Sequence, residues 1–190
     1  MKIPAVFFDR DGTINIDPGY LGDPDLVNLI PGVPQGIFKL KNELNFKIVV
    51  ISNQSGITRG KISEQDVLAV NNRINELLKK NGTEIDKFYH CPFHPEFYTA
   101  DECKCRKPSP QMIFDAAKEL NIDLKRSYFV GDRASDVMCG YNAGIKTVLI
   151  KSSNYENEIN ILINDNKSPN FVAANFGEAT NFIYNDFVGE

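Results

Sequence analysis

Ala5-Val6-Phe7-Phe8-Asp9-Arg10-Asp11-Gly12-Thr13 decides how the rest of the chain is read. Four apolar residues in a row, too few for a helix, read as a strand buried on both faces, and the run stops at an acid. Gly12 then allows a tight turn and a close approach of backbone. The same design recurs downstream. Phe46 to Ile51 is apolar and β-branched and ends at Ser52, Ile85 to His90 gives a third strand, and Ser127 to Val130 ends at Gly131-Asp132. Ile145 to Ile150 follows, and Phe171-Val172-Ala173 reads as a short edge strand.

Helical stripes fill the gaps. Val33, Ile37, Leu40 and Leu44 recur at helical spacing, from Pro31-Gly32 to Asn45. Ser63 with Asp66 three residues on forms a capping-box pattern ahead of Val67, Val70, Ile74, Leu77 and Leu78, and Asn81-Gly82 stops that helix. Ser109-Pro110 opens a helix carrying Met112, Ile113, Ala116, Ala117 and Leu120. A short helix ends near Ala143-Gly144, and a last one is expected over 178–187. Residues 92–108 read as a long loop, and 152–168 as a loop or a weak helix. Strands alternating with helices predict an α/β fold, a Rossmann-like parallel sheet with helices on both faces. Residues 1–190 are expected to form a single domain. In such a sheet ligands sit beyond the carboxyl ends of the strands, where Asp9, Ser52 and Asp132 all fall.

Composition narrows the class without deciding it. A net charge of −4 gives no reason to expect a nucleic-acid partner. No apolar run is long enough to span a membrane, and the first residues lack the pattern of a secretion signal, so a cytoplasmic, monomeric enzyme is expected. Of four cysteines, Cys91, Cys103 and Cys105 cluster in one stretch while Cys139 stands apart in a predicted helix, where a core thiol is expected. With His94 between them, the three clustered thiols offer a Cys₃His set of the kind that holds zinc in a tetrahedron. The alternative is a set of ordinary reduced thiols beside a surface histidine.

The polar residues at the strand ends carry the functional reading. Alone, each has a bland explanation: Asp-Arg-Asp-Gly as a polar turn, Ser52 as a strand exit, Lys107 as a solvated loop cation, Asp136 as an acid in a helix first turn. Together and in this order they resemble the haloacid-dehalogenase-like phosphohydrolases. Asp-x-Asp-Gly-Thr resembles that family's first motif, and Ser52-Asn53-Gln54-Ser55 its second. Arg106-Lys107-Pro108 resembles the third, and Gly131-Asp132-Arg133-Ala134-Ser135-Asp136 the fourth. The resemblance implies that Asp9 attacks phosphorus, Asp11 serves as acid and base, Ser52 bonds the phosphoryl group and Lys107 neutralises charge. It implies a Mg²⁺ ion on the carboxylates of Asp9 and Asp132 and the backbone carbonyl of Asp11, with Asp136 nearby. A phosphate dianion approaching three crowded aspartates requires such a cation.

The cysteine loop narrows the resemblance to the branch of that family holding the heptose bisphosphate phosphatases and the histidinol-phosphatase domain. This branch has a minimal cap, and the resemblance gives the zinc loop, with Cys91, His94, Cys103 and Cys105 as ligands, a part in enclosing the substrate. One departure matters: the branch often has its ligand histidine two residues after the first cysteine, where this chain has Phe93. The resemblance also implies substrate contacts from Asp17, Gly19 and Tyr20, from Asn53, Gln54 and Ser55, and from Arg106 and Arg133. Arg133 takes a place that is often Lys in the heptose enzymes. The implied substrate is a sugar phosphate, a heptose 1,7-bisphosphate losing its 7-phosphate, with histidinol phosphate as the alternative. Two other classes share part of this pattern: a receiver-like phosphoacceptor module, which has no use for the cysteine loop, and an inactive zinc-stapled binding module.

Overall fold

A computed structural model describes residues 2–189. Six parallel strands form one sheet in the order β3-β2-β1-β4-β5-β6. They are β1 (Ala5–Phe8), β2 (Lys47–Asn53), β3 (Lys87–Cys91), β4 (Tyr128–Gly131), β5 (Lys146–Ile150) and β6 (Phe171–Ala173). The helices are α1 (Val33–Phe38), which continues as a π-helical segment over Lys39–Glu43, then α2 (Glu64–Lys79), α3 (Gln111–Glu119), α4 (Ala134–Ala143), α5 (Tyr155–Asn164) and α6 (Phe176–Val188). The strand order reverses direction at β1, which lies between β2 and β4. This is the switch point at which open parallel sheets bind ligands.

Both faces of the sheet are covered, and the two-residue period of a strand sorts side chains between them. Val6 and Phe8, with Ile48, Val50, Tyr128 and Val130, pack beneath α1, α2 and α6. Ala5 and Phe7, with Val49, Ile51 and Phe129, pack beneath α3 and the Cys139 side of α4. β1 is therefore buried along its whole length, as its uninterrupted apolar run requires. Cys139 is a buried core thiol, as expected. Asn45, the predicted end of the first helical stripe, adopts a left-handed conformation (φ 58°) beyond the π segment.

Two segments are more regular than expected. Residues 155–164, read as a loop or a weak helix, form a regular helix in which Tyr155, Ile159 and Leu162, at helical spacing, pack against Ala134, Val137 and Leu149. The 92–108 loop is not wholly irregular, since Glu102–Cys105 closes a 3₁₀ turn. Among the described residues no helix is long and apolar enough to cross a membrane.

The capping box at α2 is formed as the sequence predicts. The Ser63 hydroxyl accepts from Asp66 N at 3.2 Å, and the Asp66 carboxylate accepts from Ser63 N at 2.7 Å. Replacing Ser63 with Ala leaves one end donor of the helix without its partner and should cost about 1 kcal/mol, read from urea unfolding.

Candidate active site

A cleft of about 390 Å³ opens at the carboxyl ends of the central strands, lined by Asp9, Asp11, Ser52, Asn53, Lys107 and Arg133 among others. Asp9 follows β1 directly, and its N–H donates to the Val130 carbonyl at 3.0 Å, so the β1–β4 ladder fixes its backbone. Ser52 lies near the end of β2, and Asp132 follows β4.

Lys107 is the centre of the polar arrangement. It is 4% exposed, and its ammonium reaches Asp9 Oδ1 at 2.6 Å, Asp136 Oδ1 at 2.7 Å and the Ile51 carbonyl at 2.9 Å. Burial opposes its charge, but Asp136 and Asp9 outweigh burial and hold the ammonium above the usual lysine range. The carboxyls respond in the opposite sense. Burial, with Asp136 and Asp11 adding repulsion against the pull of Lys107, pushes Asp9 up to about 7. Burial and Asp136 push Asp132 up to about 6.

Close approaches hold this cluster together. Gly12 has φ +87°, and a Cβ there would lie 2.7 Å from Asp132 Oδ2. A Cβ on Gly131 would lie 2.2 Å from Asp136 Oδ2, so glycine at that position lets Asp136 fold back toward Lys107. Asp136 also accepts from Arg133 N at 3.0 Å, at the start of α4.

These residues fit a hard divalent cation. Among the described residues, the one set of three metal-binding side chains whose donor atoms lie within 4.8 Å of one another is Asp9, Asp132 and Asp136. Asp132 Oδ1 is buried without a hydrogen-bond partner, an arrangement that costs stability unless a cation or other donor meets it. Asp136 is already engaged by Lys107 and Arg133 N, which leaves Asp9 and Asp132 as the carboxylates available to a metal.

The remaining expected residues divide into two groups. Asp17, Gly19, Tyr20, Ser55 and Arg106 all line the cleft. Asp17 accepts from Arg133 Nη2 at 3.3 Å, an ion pair across the opening. Arg106 donates to the Phe93 carbonyl at 3.3 Å. Asn53 and Gln54 also line the cleft, but their amides are used within the protein. Asn53 donates to the Lys107 carbonyl at 3.2 Å and accepts from Lys107 N at 3.0 Å. Gln54 Nε2 donates to Ser52 Oγ at 2.7 Å and to Asp11 Oδ2 at 2.8 Å.

The zinc set is not assembled. Cys91 and Cys105 are joined as a disulfide, which removes two of the three thiolates that the metal would need, and Cys103 is a free thiol. His94 Nδ1 instead accepts from Glu96 N at 3.2 Å. Phe93, one residue earlier, packs its ring 4.9 Å from that of Tyr98 and sits against the core under α3. The imidazole of His94, 24% exposed, has its ring centre 6.3 Å from that of Phe97. The arrangement present does not fit a Cys₃His zinc.

Three residues that the sequence reading passed over complete the surroundings of Asp11. Arg10, 1% exposed, places Nε 3.2 Å from both Asp11 oxygens and Nη2 3.0 Å from Oδ2. Its Nη1 donates to Asn71 of α2 at 3.2 Å. Asn15 donates to Asp11 Oδ1 at 2.9 Å. A buried asparagine beside the apolar stripe of α2 was the available signal.

A family model described as HAD-hydrolase-like matches residues 104–179. The D-glycero-beta-D-manno-heptose-1,7-bisphosphate 7-phosphatase of Yersinia pestis is 41% identical over 155 residues, covering 80% of this chain and 82% of that one. A HAD-like phosphatase structure from Mesorhizobium loti is 37% identical, with a TM-score of 0.73 over 80% of this chain and 74% of that one. The structure of D,D-heptose 1,7-bisphosphate phosphatase from B. bronchiseptica, complexed with magnesium and phosphate, is 27% identical, with a TM-score of 0.82 over 98% of this chain and 99% of that one. The chain belongs to the HAD-like hydrolases and, within them, to the family of heptose-bisphosphate phosphatases. It is a phosphatase.

The raised carboxyls give a stability prediction. Asp9 and Asp132 favour their protonated forms in the metal-free fold, so the stability they contribute is present below the ordinary aspartate value of 3.8 and is lost as pH rises through about 6 and about 7. A Mg²⁺ ion held by these carboxyls would need their ionised forms. The increase in Tm on adding Mg²⁺ should therefore grow from about pH 5 to about pH 7 and then level off, measured by calorimetry. An increment that does not change over that range would contradict the assignment.

Proposed function

We propose that the chain hydrolyses the 7-phosphate of D-glycero-D-manno-heptose 1,7-bisphosphate through an aspartyl-phosphate on Asp9. The observation that carries this reading is the environment of Asp9: a buried carboxylate lining the cleft, with Oδ1 on Lys107 and Asp11 two residues away in a web of hydrogen bonds. The Yersinia relative is named for this substrate, and the Bordetella structure holds magnesium and phosphate.

Asp9 attacks phosphorus as the bond to the sugar oxygen breaks, and Asp11 gives its proton to that oxygen. Water then attacks the phosphorus of the acyl phosphate and passes a proton to Asp11, which releases phosphate and restores both carboxyl groups. Ser52 bonds a phosphoryl oxygen, and Lys107, its three N–H groups taken by Asp9, Asp136 and the Ile51 carbonyl, anchors the nucleophile and lends positive charge beside it. Asp9, Asp132 and the Asp11 backbone carbonyl would hold Mg²⁺, which would supply the positive charge that lets a dianion approach these carboxylates. Arg106 meets the distal phosphate, whose geometry suits a guanidinium fork. Phosphate at the reacting end releases Arg133 from Asp17, and Tyr20 and Gly19 border the sugar. In this reading residues 1–190 act as one catalytic domain on a soluble sugar phosphate in the cytoplasm.

Asp9→Asn keeps the shape of the side chain and removes the nucleophile. Its kcat should fall by about 10³-fold or more with the fold intact by circular dichroism. Comparing kcat/KM for the heptose bisphosphate and for histidinol phosphate tests the substrate. The bisphosphate should be favoured by about tenfold or more through its second phosphate, and a preference for histidinol phosphate would overturn this reading.

The zinc reading is confined to the reduced chain. With the Cys91–Cys105 bridge open, Cys91, Cys103 and Cys105 provide three thiolates in one loop. Metal analysis should find close to one zinc per chain after purification under reductant, and none in the oxidised protein. No zinc in either form would end the proposal.

A further inference from the structure

We infer that Arg10 is a positioning residue for Asp11, fixing the direction of the carboxyl group that serves the leaving oxygen. The inference rests on the reading of Asp11 given above and adds to it a residue outside the motif's acids.

The geometry singles out Arg10. Its guanidinium is 1% exposed and turns the Nε–Nη2 edge toward Asp11, with contacts of 3.2, 3.2 and 3.0 Å to the two carboxylate oxygens. That edge is rigid and planar, so it sets the plane of the carboxylate as well as its distance, which an ammonium could not do. The third nitrogen, Nη1, is held by Asn71 Oδ1 at 3.2 Å, so α2 anchors the fork from behind. The backbone is fixed too, since the Arg10 carbonyl accepts from Ile14 N at 2.8 Å and Asn15 N at 3.1 Å. Asp11 is the sole ion-pair partner of Arg10 among the described residues.

Burying a guanidinium is expensive, and a surface arginine would serve a solvated turn equally well. Here the buried charge is spent on one carboxylate beside the nucleophile. Asn15 and Gln54 hold the same group from other sides, at 2.9 and 2.8 Å, but each reaches only one oxygen. Arg10 alone grips both. Proton transfer to a leaving group depends steeply on alignment, so loosening this grip should slow transfer from an ester whose leaving oxygen needs the proton and spare one whose leaving group does not.

The test uses leaving groups that differ in their need for a proton. A sugar or alkyl phosphate departs as a poor leaving group and requires the acid. 4-Nitrophenyl phosphate departs as a stable phenolate and does not. Values of kcat/KM report the steps through loss of the leaving group. Asp11→Asn should lose about 10²-fold or more on the sugar phosphate and far less on the aryl ester. Arg10→Gln should show the same split, with about a 10- to 100-fold loss on the sugar phosphate and less than about threefold on the aryl ester. Arg10→Lys, which keeps the charge without the fork, should recover only part of the loss.

A split in Asp11→Asn with equal losses on both substrates in Arg10→Gln would overturn the inference and leave the reading of Asp11 standing. No split in Asp11→Asn would overturn that reading and the inference with it. Should Arg10→Gln fail to fold, Asn71→Ala frees the back of the fork while keeping the guanidinium. A loss of several-fold confined to the sugar phosphate supports the inference, and wild-type values on both substrates overturn it.

Discussion

Everything in the site is arranged around one buried ammonium. Lys107 stands between Asp9 and Asp136, and Asp132 lies close enough to complete a set of three buried carboxylates. One cation cannot neutralise three such groups in a place where water is excluded. The fold accommodates the excess in two ways. Asp9 and Asp132 hold on to protons, and a divalent ion bound there would take the place of those protons. The lysine also fixes Asp9 Oδ1 and Asp136 Oδ1, while Asp132 Oδ1 beside them is buried without a hydrogen-bond partner.

Much of this was legible in the sequence, because the same physics that buries a strand also places its end. Apolar runs that stop at Asp9, Ser52 and Asp132 predicted both the parallel sheet and the convergence of those residues, and β6 falls on the predicted residues Phe171–Ala173. Helix α5 was the weak point: its stripe of Tyr155, Ile159 and Leu162 is short and sits among Asn, Ser and charged residues, and only Leu162 of the three is fully buried. Asp136 shows a subtler limit. An acid in the first turn of a helix has an ordinary explanation, and only the missing side chain of Gly131 lets it turn back onto Lys107.

The cysteine loop shows where spacing stops being informative. Four donors close together in sequence suggested a tetrahedron, but which side of the chain each faces depends on single-residue offsets. Phe93 fills the inward place, and His94 faces Glu96 instead. Arg10 was passed over for the opposite reason. Between two aspartates on a turn, an arginine reads as a solvated counter-charge, and its burial under Asn71 depends on a helix more than fifty residues away.

Asn53 clasps both the N–H and the carbonyl of Lys107, much as a neighbouring strand would. The lysine is thus secured from the β2 side, independently of the segment that leads up to it. That segment begins where β3 ends at Cys91, a residue also tied to Cys105 just before the clasp. The stretch between is a module with two fixed ends. Arg106 and Lys107 line the cleft while residues 92–105 do not, so the length and composition of that stretch can drift while the buried ammonium keeps its place.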